Sequence, residues 1–203
     1  MKSAFIYLIG LILALGCTKD NNNKETADVF PDKPGDMWIY NVVDTLVNGS
    51  SYSVSQYYMN VNITGSVVLP GDITATVWVY NYNNNTDTNY VYQNGDTIKF
   101  LDKTKSSLVR QYIIPIRLNN SWQYVPGISD VTIIEQGNII VNGNSFTNAF
   151  HLNGNAGMPD AIFGIDEWIE NNVGIVKRYI NPFGELIITK HYTSWSLVSY
   201  YIN

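Results

Sequence analysis

Two segments of the chain share the same residues at one constant offset, and this repetition limits the possible fold more than any other feature. The first runs from Phe30 to Tyr40 and the second from Ile114 to Tyr124. Both contain Pro, a basic residue, Trp and Tyr in the spacing Pro-x(6)-Trp-x-Tyr. Each segment predicts a proline-stiffened approach, a tight turn, and a strand whose Trp and Tyr share one face. Gly35 and Asn119 occupy the turn, and both residue types tolerate a left-handed backbone.

Turn signals recur along the rest of the chain at the short spacing that is typical of an antiparallel β-meander. Asn48-Gly49 and Asn94-Gly95 are the strongest, because Asn-Gly favours the tight turn of a two-residue hairpin. Residues 51–64 alternate between apolar and polar side chains for most of their length, which indicates a strand with one buried face. Residues 153–159 are rich in Gly and Asn and are expected to form the longest loop.

These patterns predict an all-β fold, an antiparallel meander of about a dozen strands that forms a barrel or half-barrel. A two-sheet β-sandwich is the alternative. Residues 28–203 would form a single domain made of two tandem repeats, about 29–112 and 113–203. Only 14% of the residues are charged and the net charge is −5. Because basic residues cluster only at Lys99, Lys103, Lys105 and Arg110, which span a turn, a nucleic-acid partner is not expected.

The N-terminal segment predicts export. An apolar run after Lys2 is too short to span a bilayer as a stable helix and fits a secretory signal peptide, residues 1–16. The run ends in Leu-Ala-Leu-Gly-Cys at residues 13–17, which resembles the lipobox of bacterial lipoproteins. The resemblance implies cleavage before Cys17 and acylation of this cysteine, the only one in the chain. Residues 17–27 then form a lipidated cysteine and flexible linker, and the protein is expected to be an outer-membrane lipoprotein facing the periplasm or the cell surface.

Candidate catalytic residues are few. The two histidines, His151 and His191, have no acidic residue close to them in sequence, and we interpret them as structural. No motif for a nucleophile, a metal or a cofactor is present, so the sequence predicts none of these and no enzyme activity. The alternative is a hydrolase that uses Asp166 and Glu170, which share one face of a strand while Glu167 points away.

Five aromatic residues predict a ligand-binding surface. Trp78, Tyr80 and Tyr82 alternate along one strand, and Tyr90 and Tyr92 lie on the strand expected next to it. Rings in a row make a flat apolar platform that suits a sugar or an acyl chain. The other interpretation is that these rings pack in the core, because the opposite face of the same strand is also apolar.

The chain resembles a family of uncharacterised bacterial envelope lipoproteins in three stretches, residues 31–40, 144–151 and 167–177. In such a family, Asn172-Val173-Gly174 would form a hairpin turn and Trp168 would lie in the core. A curved antiparallel sheet is also distantly similar to half-barrel lipoprotein carriers, whose concave face binds acyl chains. From the chain as a whole we expect a non-enzymatic binding or scaffolding role at the membrane, with a small apolar molecule or a glycan as the two candidate ligands.

Overall fold

The computed structural model describes residues 29–158, 161–183 and 189–203. The signal peptide, Cys17 and the linker therefore lie outside the described residues. The described part forms twelve β-strands and no helix. The strands are β1 (Met37–Asn48), β2 (Ser51–Leu69), β3 (Ile73–Tyr82), β4 (Asn85–Asn94), β5 (Thr97–Leu101), β6 (Leu108–Ile113), β7 (Ser121–Val125), β8 (Ser129–Val141), β9 (Asn144–Met158), β10 (Ala161–Glu170), β11 (Gly174–Phe183) and β12 (Thr189–Tyr201).

All twelve strands belong to one antiparallel sheet in the order β6-β5-β4-β3-β2-β1-β12-β11-β10-β9-β8-β7. The two halves of the chain are each a meander, and they join where β1 pairs with β12. The sheet curls until its two edge strands, β6 and β7, lie side by side, which makes a nearly closed barrel. The predicted all-β meander is confirmed, and the sandwich alternative does not form.

Side chains join β6 to β7 at the seam of the barrel. The indole Nε1 of Trp122 donates to the carbonyl oxygen of Gln111 at 2.8 Å. The side-chain amide of Gln111 in turn donates to the carbonyl oxygen of Gln123 at 2.8 Å. These bonds use backbone acceptors that an open sheet edge would expose to other chains, so the seam protects both edges.

The two Trp-Tyr segments begin with the same backbone turn. The N–H of Gly35 donates to the carbonyl of Ile63 at 2.8 Å, and the N–H of Ile63 donates back to the residue after Gly35 at 3.0 Å. In the second segment the N–H of Asn119 donates to the carbonyl of Ile133 at 2.8 Å, and the N–H of Ile133 donates back to the carbonyl of Asn120 at 2.9 Å. Gly35 and Asn119 both have positive φ, 99° and 66°. The two segments therefore share one backbone turn. The division of the whole domain into two repeats remains a prediction.

Aromatic side chains fill one end of the barrel. Phe30, in the segment before β1, packs against Trp78 and Phe100 with ring centroids 6.4 and 5.5 Å apart. Trp38 stacks on Trp78 at 4.8 Å, and both rings are buried. The segment before β1 therefore closes this end of the barrel as a plug.

Two expectations about local structure are wrong. Residues 153–158 are not a loop but the end of β9, which pairs with β8 and β10. At Gly154 a Cβ would come within 2.3 Å of the Asp130 carbonyl oxygen on the neighbouring strand. The glycine is therefore needed where two strands approach closely, and it does not indicate a loop. Trp168 is only partly buried and stacks on His151 on the outer face, with centroids 4.4 Å apart. Its neighbour Glu167 is the residue that points into the core.

Candidate functional site

A cavity of about 700 Å³ opens at the end of the barrel opposite to Phe30. It lies inside the sheet, near the turns that follow β3 and β5. A volume of this size is within the range of pockets for small ligands. Its lining comprises aromatic, basic, acidic and amide side chains, among them Asp44, Tyr57, Tyr80, Tyr82, Asn85, Asp87, Asn89, Asp102, Lys103, Arg110, Arg178, His191, Thr193 and Trp195.

Aromatic rings form part of the cavity wall. Tyr57 on β2 stacks on Tyr82 on β3 with centroids 6.0 Å apart and planes at 26°. The Tyr57 hydroxyl donates to Asp44 at 2.7 Å, and Thr193 donates to the other carboxylate oxygen at 2.8 Å. Burial and the hydrogen bond to Asp44 raise the pKa of Tyr57. Trp195 on β12 also lines the cavity, so the pocket has aromatic surfaces with polar groups fixed beside them.

The floor of the cavity contains two arginines. Arg110 on β6 and Arg178 on β11 are 4% and 7% exposed. The guanidinium of Arg110 lies over the ring of Phe100 at 4.1 Å, and that of Arg178 lies over Trp195 at 4.8 Å. Both contacts are cation–π interactions, which hold the planar groups in place.

Glu167 is the carboxylate behind this floor and is completely buried. Its Oε1 lies 3.0 Å from Nε of Arg178, the residue directly opposite on β11. The two groups form an ion pair, although the Nε–H does not make a hydrogen bond. The hydroxyls of Tyr124 and Tyr112 donate to its two oxygens at 2.7 and 2.8 Å. Glu167 therefore ties β6 and β7, the two sides of the seam, to β10 and β11.

Burial keeps the tyrosines of this cluster protonated. Desolvation raises the pKa of Tyr112 well above its ordinary value of 10.0, and the adjacent Glu167 raises it further. Desolvation also raises the pKa of Tyr124, and the Arg178 charge opposes that rise. Because both hydroxyls remain protonated at neutral pH, both can donate to Glu167.

The aromatic stripe on β3 is divided between core and cavity. Trp78 is 5% exposed and belongs to the aromatic core, where it stacks on Trp38. Tyr80 and Tyr82 line the cavity, and only Tyr82 is partly exposed. The stripe divides because β3 runs from the plugged end of the barrel to the open end. A continuous platform of three exposed rings does not form.

Tyr90 and Tyr92 are not beside the stripe, as the sequence had led us to expect. Tyr90 pairs with Val77 across β3 and β4, so it lies on the outer face of the sheet, and Tyr92 lies two residues further on the same face. The tight turn after Tyr82 pairs that residue with Asn85, so even-numbered positions of β3 face odd-numbered positions of β4. The partners of the stripe are therefore asparagine and aspartate rather than tyrosine. A direct binding role for these two tyrosines remains a prediction without support from the cavity.

The acids of the hydrolase alternative lie on the outer face of β10. The Asp166 carboxylate lies 3.0 Å from Nε2 of His151 and accepts its hydrogen bond in the tautomer that carries the proton there. Glu170 accepts from the backbone N–H of Asn148 at 3.4 Å, and burial raises its pKa. Neither carboxylate lines the cavity. His151 does have acidic neighbours, which come from adjacent strands and not from its own segment.

The sequence analysis assigned no role to the charged residues of the floor, Arg110, Glu167 and Arg178, nor to the cavity residues Asp44, Tyr57 and Trp195. The sequence analysis placed Glu167 on the strand face opposite to Asp166 and Glu170 and gave it no partner. The available signal was the alternation of β10, in which Glu167 shares a face with Ile165 and Ile169, both buried. A charged residue at a core position needs a partner, and this rule could have pointed to a basic residue on a neighbouring strand.

Within the described ranges, no group of three or more His, Cys, Asp or Glu is arranged to hold a metal ion. Nor does the described part of the chain include a helix that is long and apolar enough to cross a membrane.

Comparisons with known proteins give only distant likenesses. No family model matches the sequence, and no curated protein matches it. Among solved structures, the chain is similar to a candidate lipoprotein from Parabacteroides distasonis ATCC 8503, with a TM-score of 0.49, 15% identity, and 86% of this chain and 99% of that chain covered. It is also similar to a candidate exported protein with a YmcC-like fold from Bacteroides fragilis NCTC 9343, with a TM-score of 0.41, 10% identity, and coverage of 86% and 99%. These likenesses assign neither a family nor an activity to the chain.

Proposed function

We propose that this protein is an envelope lipoprotein that binds a glycan in the open cavity of its barrel and carries out no chemistry on it. The observation that carries the proposal is the cavity lining, in which aromatic rings alternate with carboxylates, amides and hydroxyls. Tyr57, Tyr82 and Trp195 offer apolar faces for a sugar ring. Asp87 and Asn89 offer acceptors and donors for its hydroxyls.

The same lining disfavours the acyl-chain alternative. An acyl chain in this cavity would cover the exposed carboxylate of Asp87 with apolar atoms and would offer no acceptor to Arg110, whose Nε has none among the described residues. Burying a polar or charged group without a compensating hydrogen bond costs about 2 kcal/mol or more. A hydroxylated ligand replaces that water with hydrogen bonds, so the glycan fits the cavity better than a lipid tail.

Tryptophan fluorescence tests the glycan proposal, because Trp195 lines the cavity. We expect an oligosaccharide from a panel of neutral and uronic-acid-containing members to change the Trp emission in a saturable way. Trp195→Phe should remove most of that change. A fluorescent fatty acid added to the same protein should neither bind nor displace the oligosaccharide.

The matched control is Trp122→Phe, because Trp122 lies at the seam and does not line the cavity. This variant should keep the change in emission. The glycan proposal is wrong if the fatty acid saturates the protein and no member of the panel does.

The anchoring part of the proposal rests on Cys17 and the lipobox-like segment before it. Two or more acyl chains give stable membrane binding, since each buried methylene contributes about 0.8 kcal/mol. We expect Cys17→Ala to move the protein from the membrane fraction to the soluble fraction after ultracentrifugation. Thr18→Ala, one residue further, should leave it in the membrane fraction. If Cys17→Ala sediments with membranes as fully as the natural chain, the anchor is elsewhere.

The position of the plug supports this arrangement. The chain enters the barrel through Val29 and Phe30, at the end opposite to the cavity. An anchor that is attached through the preceding linker would therefore leave the cavity mouth directed away from the attachment point. The ligand would enter from the aqueous side.

A further inference from the structure

We propose that the glycan is acidic and that Arg110, at the floor of the cavity, binds its carboxylate. This inference rests on the proposed glycan-binding function and names the chemical class of the ligand. The Arg110 side chain makes few hydrogen bonds for a buried cation.

Arg110 is 4% exposed, and its guanidinium has more donors than acceptors around it. A guanidinium carries five N–H donors. Within the described residues, Arg110 donates only to the Tyr80 hydroxyl, from Nη2 at 3.2 Å, and its Nε is buried without an acceptor. Because a buried charge without partners is costly, and because Arg110 lines the cavity, an oxyanion in the cavity would satisfy it.

The charge balance of the floor indicates an anion with a single charge. Arg110 and Arg178 are both buried, and among the described residues Glu167 is the buried carboxylate at this floor. Glu167 forms its ion pair with Arg178, while Arg110 forms none in the part of the chain that the structure describes. Two buried cations therefore share one carboxylate at the floor, and Arg110 is the one that lies outside ion-pair distance of it among the described residues. A sugar carboxylate carries one negative charge, whereas a phosphate monoester carries about 1.5 to 2 at neutral pH.

The rim of the cavity indicates that the rest of the ligand is neutral. Asp44, Asp87 and Asp102 line the outer part, together with Lys103 and His191. Asp44 already accepts hydrogen bonds from Tyr57 and Thr193, and Asp102 accepts them from its own turn. These carboxylates would repel a polyanion and can accept hydrogen bonds from sugar hydroxyls. A single uronic acid at the inner end of an otherwise neutral oligosaccharide matches both parts of the cavity.

The test uses the full chain, purified in detergent, and pairs of oligosaccharides that differ only in whether the terminal sugar is a uronic acid or the parent neutral sugar. Titration calorimetry should show that the acidic member of a pair binds at least about tenfold more tightly, as expected for a charge-assisted hydrogen bond. Arg110→Gln should remove most of this difference, so that the two members of a pair bind the variant with similar affinity. Arg117→Gln removes the same charge from an exposed position away from the cavity and should change neither affinity.

Each outcome decides between the two proposals. Equal binding of acidic and neutral members by the natural chain overturns the role of Arg110 and leaves glycan binding intact. Binding of neither member of any pair overturns both. If Arg110→Gln does not fold, the methyl ester of the uronic acid provides the second measurement. The ester carries no charge and should bind the natural chain no more tightly than the neutral member, and an ester that binds as tightly as the free acid would contradict the inference.

Discussion

Replacing Glu167 with glutamine is expected to lower the free energy of unfolding by about 3 to 5 kcal/mol, the cost of breaking a buried ion pair from one side. The change keeps the size of the side chain and one carbonyl oxygen, so no cavity is created. Within the part of the chain that the structure describes, it removes the buried negative charge that lies with Arg110 and Arg178. Two buried cations then remain without a carboxylate beside them among the described residues, and one of the two hydroxyls of Tyr112 and Tyr124 loses the oxygen that accepts its hydrogen bond.

The measurement is urea unfolding, with the midpoint and the slope recorded for each variant. Glu170→Gln is the matched control, because Glu170 lies on the same strand but on the outer face and forms no ion pair among the described residues. It should change the free energy of unfolding by no more than about 0.5 kcal/mol, as most surface substitutions do. An equal effect of both substitutions would show that Glu167 does not organise the interior.

The strands of this fold were predictable from local patterns. Asn48-Gly49 and Asn94-Gly95 do form the turns between β1 and β2 and between β4 and β5, because Asn-Gly encodes a tight turn within a few residues. The pairing of β1 with β12 was not predictable in this way, since it joins segments from opposite ends of the chain. The loop prediction around Gly154 was wrong for a related reason. A close neighbouring strand requires a glycine there, whereas the sequence shows only that glycine is a weak strand former.

The candidate site depends on long-range pairing more than the strands do. Tyr80 and Tyr82 were identified from the alternation of β3, and the structure places both at the cavity. Their neighbours were misassigned, because the parity of one tight turn decides whether Tyr90 or Asn89 faces inward. The group of Arg110, Glu167 and Arg178 exists only after the sheet closes and brings β6 close to β10 and β11. Residues with such partners look like ordinary surface charges until the register is known.

Removing the ring of Trp38 is expected to have a similarly large effect on stability. Trp38 is 1% exposed, stacks on Trp78 and donates from Nε1 to the Val173 carbonyl at 2.7 Å. Trp38→Ala should lower the free energy of unfolding by about 3 to 5 kcal/mol, since it leaves a large void. The melting temperature should fall by roughly 6 to 20 °C for a domain of this size. Calorimetry of the natural and variant chains measures both quantities.

Two further variants separate the contributions of the Trp38 ring. Trp38→Phe keeps an aromatic ring against Trp78 but leaves the Val173 carbonyl without its donor, which costs about 1 to 3 kcal/mol. Trp122→Ala tests the matching position of the second segment, where the ring is 9% exposed and its Nε1 bonds across the seam. If the two tryptophans are core equivalents, Trp122→Ala should destabilise by the same about 3 to 5 kcal/mol. An unchanged melting temperature for Trp122→Ala would mean that the seam holds without it and that the two segments share a turn but not a role in the core.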